Sequence, residues 1–236
     1  MSKKQQSNPS GDLLENPEVI AEQISKTEEF FTKNRTIVYV AVTILAVIVA
    51  VVFGYKYYAT NQDELAQVDM FQAVYYFEAD SLDKALNGDG NNYGFLEIIE
   101  EYSVTKAANL AHFYAGASFL KKGDYSNAID YLKKFDSDDL LVQSRALSLI
   151  GDAFMEQGNF GEAAINYQKA AKTNSNKDFS PIYLEKAAIA FENNSDNPSA
   201  LKCYDQILEK FPDADDSSIQ NAKKHKARLS ALTSNS

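Results

Sequence analysis

The sequence has one cysteine, Cys203, so it can form neither an intrachain disulfide nor a cysteine-based zinc site. Tryptophan is absent, and the only histidines are His112 and His225. Bases this scarce leave no Ser–His–acid or Cys–His set to assemble, and no glycine loop has the spacing that cradles a phosphate, so an enzyme is not expected. His112 reads as a packed histidine and His225, within KKHK, as part of a solvated helix face. Positive charge is also in deficit: 23 Lys and Arg stand against 33 Asp and Glu, a net charge of −10. A chain that acidic repels a phosphate backbone, so nucleic acid is an unfavourable partner.

One stretch has no charge at all. Residues 36–55, TIVYVAVTILAVIVAVVFGY, would span about 30 Å as a helix, the thickness of a bilayer's hydrocarbon core. Lys33 and Arg35 flank one end and Lys56 the other, with Tyr55, Tyr57 and Tyr58 at belt positions. A cleaved signal peptide would have a shorter apolar core close behind a basic start. Here 35 residues precede the run, which reads as an uncleaved anchor. Lys26, Lys33 and Arg35 on the N-terminal side outnumber Lys56 on the other, predicting a cytoplasmic N-terminus and a C-terminal domain across the membrane. Within the span only Thr36, Tyr39 and Thr43 are polar, so no ion path is indicated.

Residues 1–35 form the predicted cytoplasmic tail. Residues 1–15 are polar; Asn16-Pro17-Glu18 has the chemistry of a helix start. Ile20, Ile24, Thr27 and Phe31 then fall on one face, beside Val19 and Phe30. That face could lie in the membrane interface or meet a membrane partner through Ile20, Ile24 and Phe31.

Beyond the span the chain repeats. AGASFLKKGDYSNAIDYLKKF (115–135), IGDAFMEQGNFGEAAINYQKA (150–170) and AAIAFENNSDNPSALKCYDQI (187–207) align without gaps. Each has a small residue (Gly116, Gly151, Ala188), an aromatic three on (Phe119, Phe154, Phe191) and an alanine nine further (Ala128, Ala163, Ala200). Leu132, Tyr167 or Tyr204 follows. Antiparallel helices approach closely only where small residues meet at the crossing, and large neighbours at i+3 and i+4 fill the flanks. Gly123 and Gly158 mark the hairpin turns; Ser195 stands at the third. Pro212 ends the third repeat. A single hairpin cannot bury its face, so neighbours stack into a solenoid.

Residues 56–104 read as a linker and a degenerate earlier hairpin, helical over 62–86, looped over 87–94 and helical again over 95–101. Residues 213–236 read as a capping helix over 217–232 with a frayed end. The loop starting at Asp89 has acids or amides at Asp89, Asn91, Glu97 and Glu100 and glycine at Gly94. That matches a calcium loop in part, but Tyr93 stands where a short oxygen ligand belongs. The alternative is a Gly/Asn turn followed by an acidic first helical turn.

The order G-x-x-F…G-D-Y-x-x-A-I-x-x-L over residues 105–212 resembles the tetratricopeptide-repeat family. The fold implied is all-α: a single transmembrane helix, a tetratricopeptide solenoid and a C-terminal capping helix. The resemblance implies a binding groove lined by the first helix of each repeat. Those positions here are Leu110, Phe113, Ala117, Leu120 and Lys121, then Arg145, Ser148, Asp152, Met155 and Glu156, then Ile182, Glu185, Ile189, Glu192 and Asn193. The first set is apolar and the later ones acidic. Phe113 and Ala117 occupy the places of the Lys and Asn of a carboxylate clamp, which argues against that ligand. An apolar groove suits a helix or an extended apolar segment, and residues 217–232 could themselves fold back into it. No cofactor is implied.

The order of parts, with a short acidic tail, one anchor, a degenerate hairpin and three repeats, resembles the YfgM-type group of bacterial inner-membrane proteins. That resemblance implies an ancillary subunit of the SecYEG translocon, working with a periplasmic chaperone of PpiD type on secreted chains. A scaffold of another envelope complex, for secretion or division, and a membrane-bound import receptor are the alternatives.

Overall fold

The computed structural model describes residues 28–233 together with Ala21 and Ser25. The polar start, the Asn16-Pro17-Glu18 helix start, Ile20 and Ile24, and the last three residues lie outside the described residues. Among the described residues every regular element is a helix. The chain divides into two units, Met1–Tyr58 and Ala59–Ser236.

In the first unit residues 28–33 are helical and Phe31 is exposed. Helix α1 begins at Arg35 and runs to Glu78. Its apolar stretch is one helix long and apolar enough to cross a membrane, and none of that stretch is buried in protein. Val, Ile and Phe side chains stand open on all sides of it (Val42 60%, Leu45 61% and Phe53 70% exposed). A helix apolar all round must bury itself in protein or in lipid. The linker expected from residue 56 is not there: the helical pattern continues without Gly or Pro after Gly54.

The second unit is built from hairpins. The α1 stretch from Ala59 is followed by α2 (Leu82–Asn87) and α3 (Phe95–Glu101). Three helix pairs come next: α4 (Lys106–Lys121) with α5 (Tyr125–Lys134), α6 (Leu140–Glu156) with α7 (Phe160–Thr173), and α8 (Ser180–Asn193) with α9 (Asn197–Lys210). The last helix is α10 (Asp216–Thr233). Each pair packs on its sequence neighbour, and α10 packs on α9 and α8.

Four turns share one design. Asp80, Gly123, Gly158 and Ser195 all have positive φ, between 56° and 78°. In each the amide of that residue donates to the carbonyl three back, and the next amide donates to the carbonyl five back, onto Tyr76, Phe119, Phe154 or Phe191. This pair of bonds satisfies carbonyls that a helix end leaves open. Asp124, Asn159 and Asp196 then cap the following helix, accepting from Asn127, Glu162 and Ser199 amides. Ser195 thus does the work of the missing glycine. The first hairpin also turns here, at Asp80, and not in the loop over 87–94. Its spacing from Ala73 to Asp80 to Ala85 is that of Gly116, Gly123 and Ala128.

The core lies between the hairpins. Ala85, Ala128, Ala163 and Ala200 are each fully buried at the crossings. The first cluster gathers Ala66, Met70 and Ala73 with Phe95, Ile98 and Tyr102. Phe95 stacks on Tyr114 with centroids 5.3 Å apart. The last cluster runs from Ala163 and Tyr167 through Tyr204 and Ile207 to Ala222 and Leu229 of α10. Cys203 is fully buried in it, beside the Gln168 amide. Burial pushes its thiol pKa up, so the thiol is inert at neutral pH. His225 is not simply solvated; its ring stacks on Tyr204 at 5.6 Å. His112 is half-buried against Tyr131, and burial pushes its pKa down.

Two long-range bonds fix the first hairpin on α4. Asp63 accepts from the Ala107 amide at 2.8 Å, and the Tyr102 hydroxyl donates to Asp69 at 2.5 Å. The Asp69 hydrogen bond, with burial, pushes the Tyr102 pKa up from 10.0 to about 12. The folded value lies above the unfolded one, so the bond's contribution is complete below pH 10 and is lost as pH rises toward 12. Stability measured by urea titration between pH 8 and 12 should therefore fall more steeply in the wild type than in Tyr102→Phe. Parallel curves would remove Tyr102 from the alkaline transition.

Candidate protein-binding groove

The first helices of the three pairs, α4, α6 and α8, leave an apolar cleft of about 500 Å³ near their N-terminal ends. Leu110, Phe113 and Tyr114 come from α4, Leu141, Val142 and Arg145 from α6, and Phe179 and Tyr183 from the start of α8. Local chemistry holds each wall. Asn109 clamps the α5–α6 connection, donating to the Asp136 carbonyl at 2.7 Å and accepting its amide at 3.2 Å. Asp139 caps α6 by accepting from the Leu141 and Val142 amides. Asn176 accepts from the Asp178 and Phe179 amides, and the Ser180 hydroxyl donates to the Ala171 carbonyl, which seats Phe179 at the cleft. Phe113 is braced by Phe135 at 5.4 Å.

A second, polar cavity of about 550 Å³ lies along the other end of these helices, lined by Leu120, Tyr125, Asp152, Met155, Glu156, Tyr167 and Lys186. Asp152 is its hub. Its carboxylate accepts from the Tyr167 hydroxyl at 2.7 Å and pairs with Lys186 at 2.7 Å. Burial and this bond push the Tyr167 pKa well above its ordinary value. Glu192 likewise accepts from Tyr204 and pairs with Arg228 of α10. Of the four carboxylates expected in the acidic half, Asp152 and Glu192 are committed to partners inside the domain, and Glu156 and Glu185 form no ion pair among the described residues. Replacing Asp152 with alanine strands a buried tyrosine hydroxyl and an ammonium. It should lower stability by about 1–3 kcal/mol, read as a drop in the urea midpoint. A midpoint unchanged from wild type would show that Asp152 is not the hub.

The expected groove residues separate into groups. Leu110, Phe113 and Arg145 come together in the apolar cleft, and Leu120 and Met155 meet in the polar cavity. Ile182 and Ile189 are exposed on α8 (43% and 40%) and line neither. Ala117 belongs to the core: it is 7% exposed and packs with Ile129, Leu132 and Ile150. Ser148 is fully buried as well. Lys121 pairs with Asp80 of the preceding hairpin at 2.6 Å. Sequence reasoning missed Tyr114, Leu141, Val142, Phe179 and Tyr183. The apolar Leu140-Leu141-Val142 at the first turn of α6 was the available signal.

The loop over 89–100 takes the turn geometry. Asp89 accepts from the Tyr76 hydroxyl at 2.7 Å and from the Asn91 and Asn92 amides. These bonds, the tyrosine's first, hold its carboxyl well below the usual range. Glu97 accepts from the Gly94 amide and so caps α3. No group of three or more potential metal ligands forms among the described residues.

Family profiles for the tetratricopeptide repeat match residues 119–179 and 183–214. Over those residues the chain is similar to tetratricopeptide repeats. The matches take in the end of α4, the α5–α9 helices and the turn after them. Tetratricopeptide repeats mediate protein–protein contacts, and an all-helical repeat fold of this kind is typically an interaction scaffold. No curated protein matches the chain.

Proposed function

We propose that this protein is a membrane-anchored interaction subunit that holds a partner polypeptide in the cleft between α4, α6 and α8. Residues 36–55 are its anchor, the N-terminus is cytoplasmic and the repeat domain periplasmic, in a bacterial inner membrane. On this reading it is an ancillary component of the Sec translocon, acting with a periplasmic chaperone of PpiD type on chains that emerge from the channel. The observation that carries the proposal is the cleft itself: apolar side chains from three repeats, aromatic on α4 and α8 and aliphatic on α6, meet at one open place. The all-round apolar surface of α1 supports the anchor. Ile20, Ile24 and Phe31 are the residues proposed to meet a membrane partner.

The test is purification of the full chain in mild detergent through a C-terminal tag, with a photo-crosslinker at position 113. Translocon subunits and a periplasmic chaperone in the eluate, with the crosslink on either the chaperone or a secreted chain, support the reading. A different envelope complex would keep the scaffold and remove the secretory role. Protection of the tag from protease added outside spheroplasts would reverse the orientation.

A further inference from the structure

The apolar cleft contains one charged group. Arg145 is exposed on α6, and no carboxylate pairs with it among the described residues. Other basic side chains that border neighbouring helices do find acids. Lys121 pairs with Asp80, Lys122 with Asp83, Lys186 with Asp152, Lys226 with Asp205 and Arg228 with Glu192. The chain has 33 acidic residues and a net charge of −10, so an acid for Arg145 was not in short supply. The nearest acidic cap, Asp139, turns its carboxylate to the Leu141 and Val142 amides. The Arg145 charge is also felt inside the cleft. Burial raises the Tyr183 pKa, and Arg145 is the nearby charge that pulls it back.

A guanidinium is a planar fork that matches a carboxylate, and it is more weakly hydrated than an ammonium. At the mouth of an aromatic cleft it provides an anchoring charge, while the apolar walls supply the burial. The cleft volume of about 500 Å³ accommodates a few side chains, not a folded domain. We infer that the cleft takes an extended apolar segment of a partner protein carrying one internal acidic side chain, which pairs with Arg145 while its apolar neighbours pack on Phe113, Leu141 and Phe179. This rests on the reading of the cleft as the partner-binding groove. It adds the chemistry that selects the segment. A carboxylate clamp for a chain terminus would need the lysine and asparagine whose places Phe113 and Ala117 occupy.

The probe is a fluorescein-labelled peptide amide, Leu-Phe-Glu-Leu-Phe-Gly-Ser, titrated with the full-length protein in detergent by fluorescence polarisation. Its Glu→Gln counterpart should bind about five- to tenfold more weakly, the difference expected of one partly screened charge-assisted pair. Arg145→Glu should remove that preference and favour the Glu→Lys peptide instead. Phe113→Ala should weaken all three peptides alike. Arg145 is exposed, and a thermal melt of each variant checks that the domain stays folded. Equal binding of the Glu and Gln peptides, lost in Phe113→Ala, would overturn the acidic pairing while leaving the cleft as a groove. Binding of the Gln peptide restored by a free C-terminal carboxylate would also overturn it, in favour of a chain terminus. No binding of any peptide would overturn both readings.

Discussion

Replacing Gly151 with valine should unfold the middle of the repeat domain. A Cβ placed at Gly151 would stand 2.6 Å from Cε1 and 2.7 Å from Cδ1 of Tyr167. That ring cannot step aside, because it is 3% exposed and its hydroxyl is tied to Asp152. At Gly116 the neighbours are Leu132 Cγ at 2.5 Å and, behind it, the Leu132 amide at 3.0 Å and the Ala128 carbonyl at 3.1 Å. Backbone sets the limit there, so α4 and α5 must separate to admit even a methyl group. Overpacking of this kind costs about 1–3 kcal/mol for a methyl group and more for a branched side chain. Gly116→Ala should therefore lower the urea midpoint measurably, and Gly151→Val should lose the cooperative transition. Gly161→Ala is the control. It lies in α7, where a Cβ would meet only the Asn194 side chain at 3.8 Å. In the first turn of its helix the exchange should leave the urea midpoint unchanged or slightly raised. A Gly151→Val protein that melts like the wild type would show that the helices of this pair are not in the close approach described.

Ending the chain after Ala214 should leave a domain that aggregates. The truncation removes α10, and with it Ala222, fully buried, and Leu229, 1% exposed, from the last core cluster. It uncovers Tyr204, fully buried in the intact chain, whose ring stacks on His225 of α10. It also leaves Glu192 and Asp205 without Arg228 and Lys226. At about 1.5–3 kcal/mol for a fully buried large apolar side chain, Leu229 alone accounts for that much, and the partly buried Ile219 adds to it. The expected signs are a lower melting temperature and bright binding of a hydrophobic dye. The sequence leaves two roles open for this helix, a cap on the last repeat and a cover over the groove. A helix that covered the groove would lie on α4 and α6; α10 lies on α9 and α8. A truncated protein of unchanged melting temperature with raised peptide affinity would make α10 a displaceable cover after all.

What could be read from the sequence followed physical necessity. Close crossings demand small residues, and so Gly116, Gly151 and Ala188 with Ala128, Ala163 and Ala200 announced three hairpins before any coordinates. The fourth was blurred because its turn uses Asp80 in place of glycine and its second helix is only six residues long. The spacing from Ala73 to Asp80 to Ala85 was nonetheless present. The groove was legible only in part. Leu110, Phe113 and Arg145 follow from the family resemblance, which puts the groove on the first helix of each repeat. Phe179 depends on how Asn176 and Ser180 fold a connection, and Leu141 and Val142 on the clamp by Asn109, both matters of geometry across many residues. Ala117 stands at a groove position by family resemblance, but its small side chain packs into the core. The charge of the far half misled because pairing is invisible in a sequence: nothing in Asp152 alone announces Lys186, 34 positions later.

The shared turns have a consequence for how the domain is made. Each is closed by bonds that reach back three and five residues, and each helix pair finds its packing partner in the pair just before it in the chain. Contacts so short in sequence form early and close small loops. On the ribosome the domain therefore has no need to wait for its C-terminus. As each hairpin clears the exit, the surface that it completes is already standing, and synthesis itself sets the order of assembly.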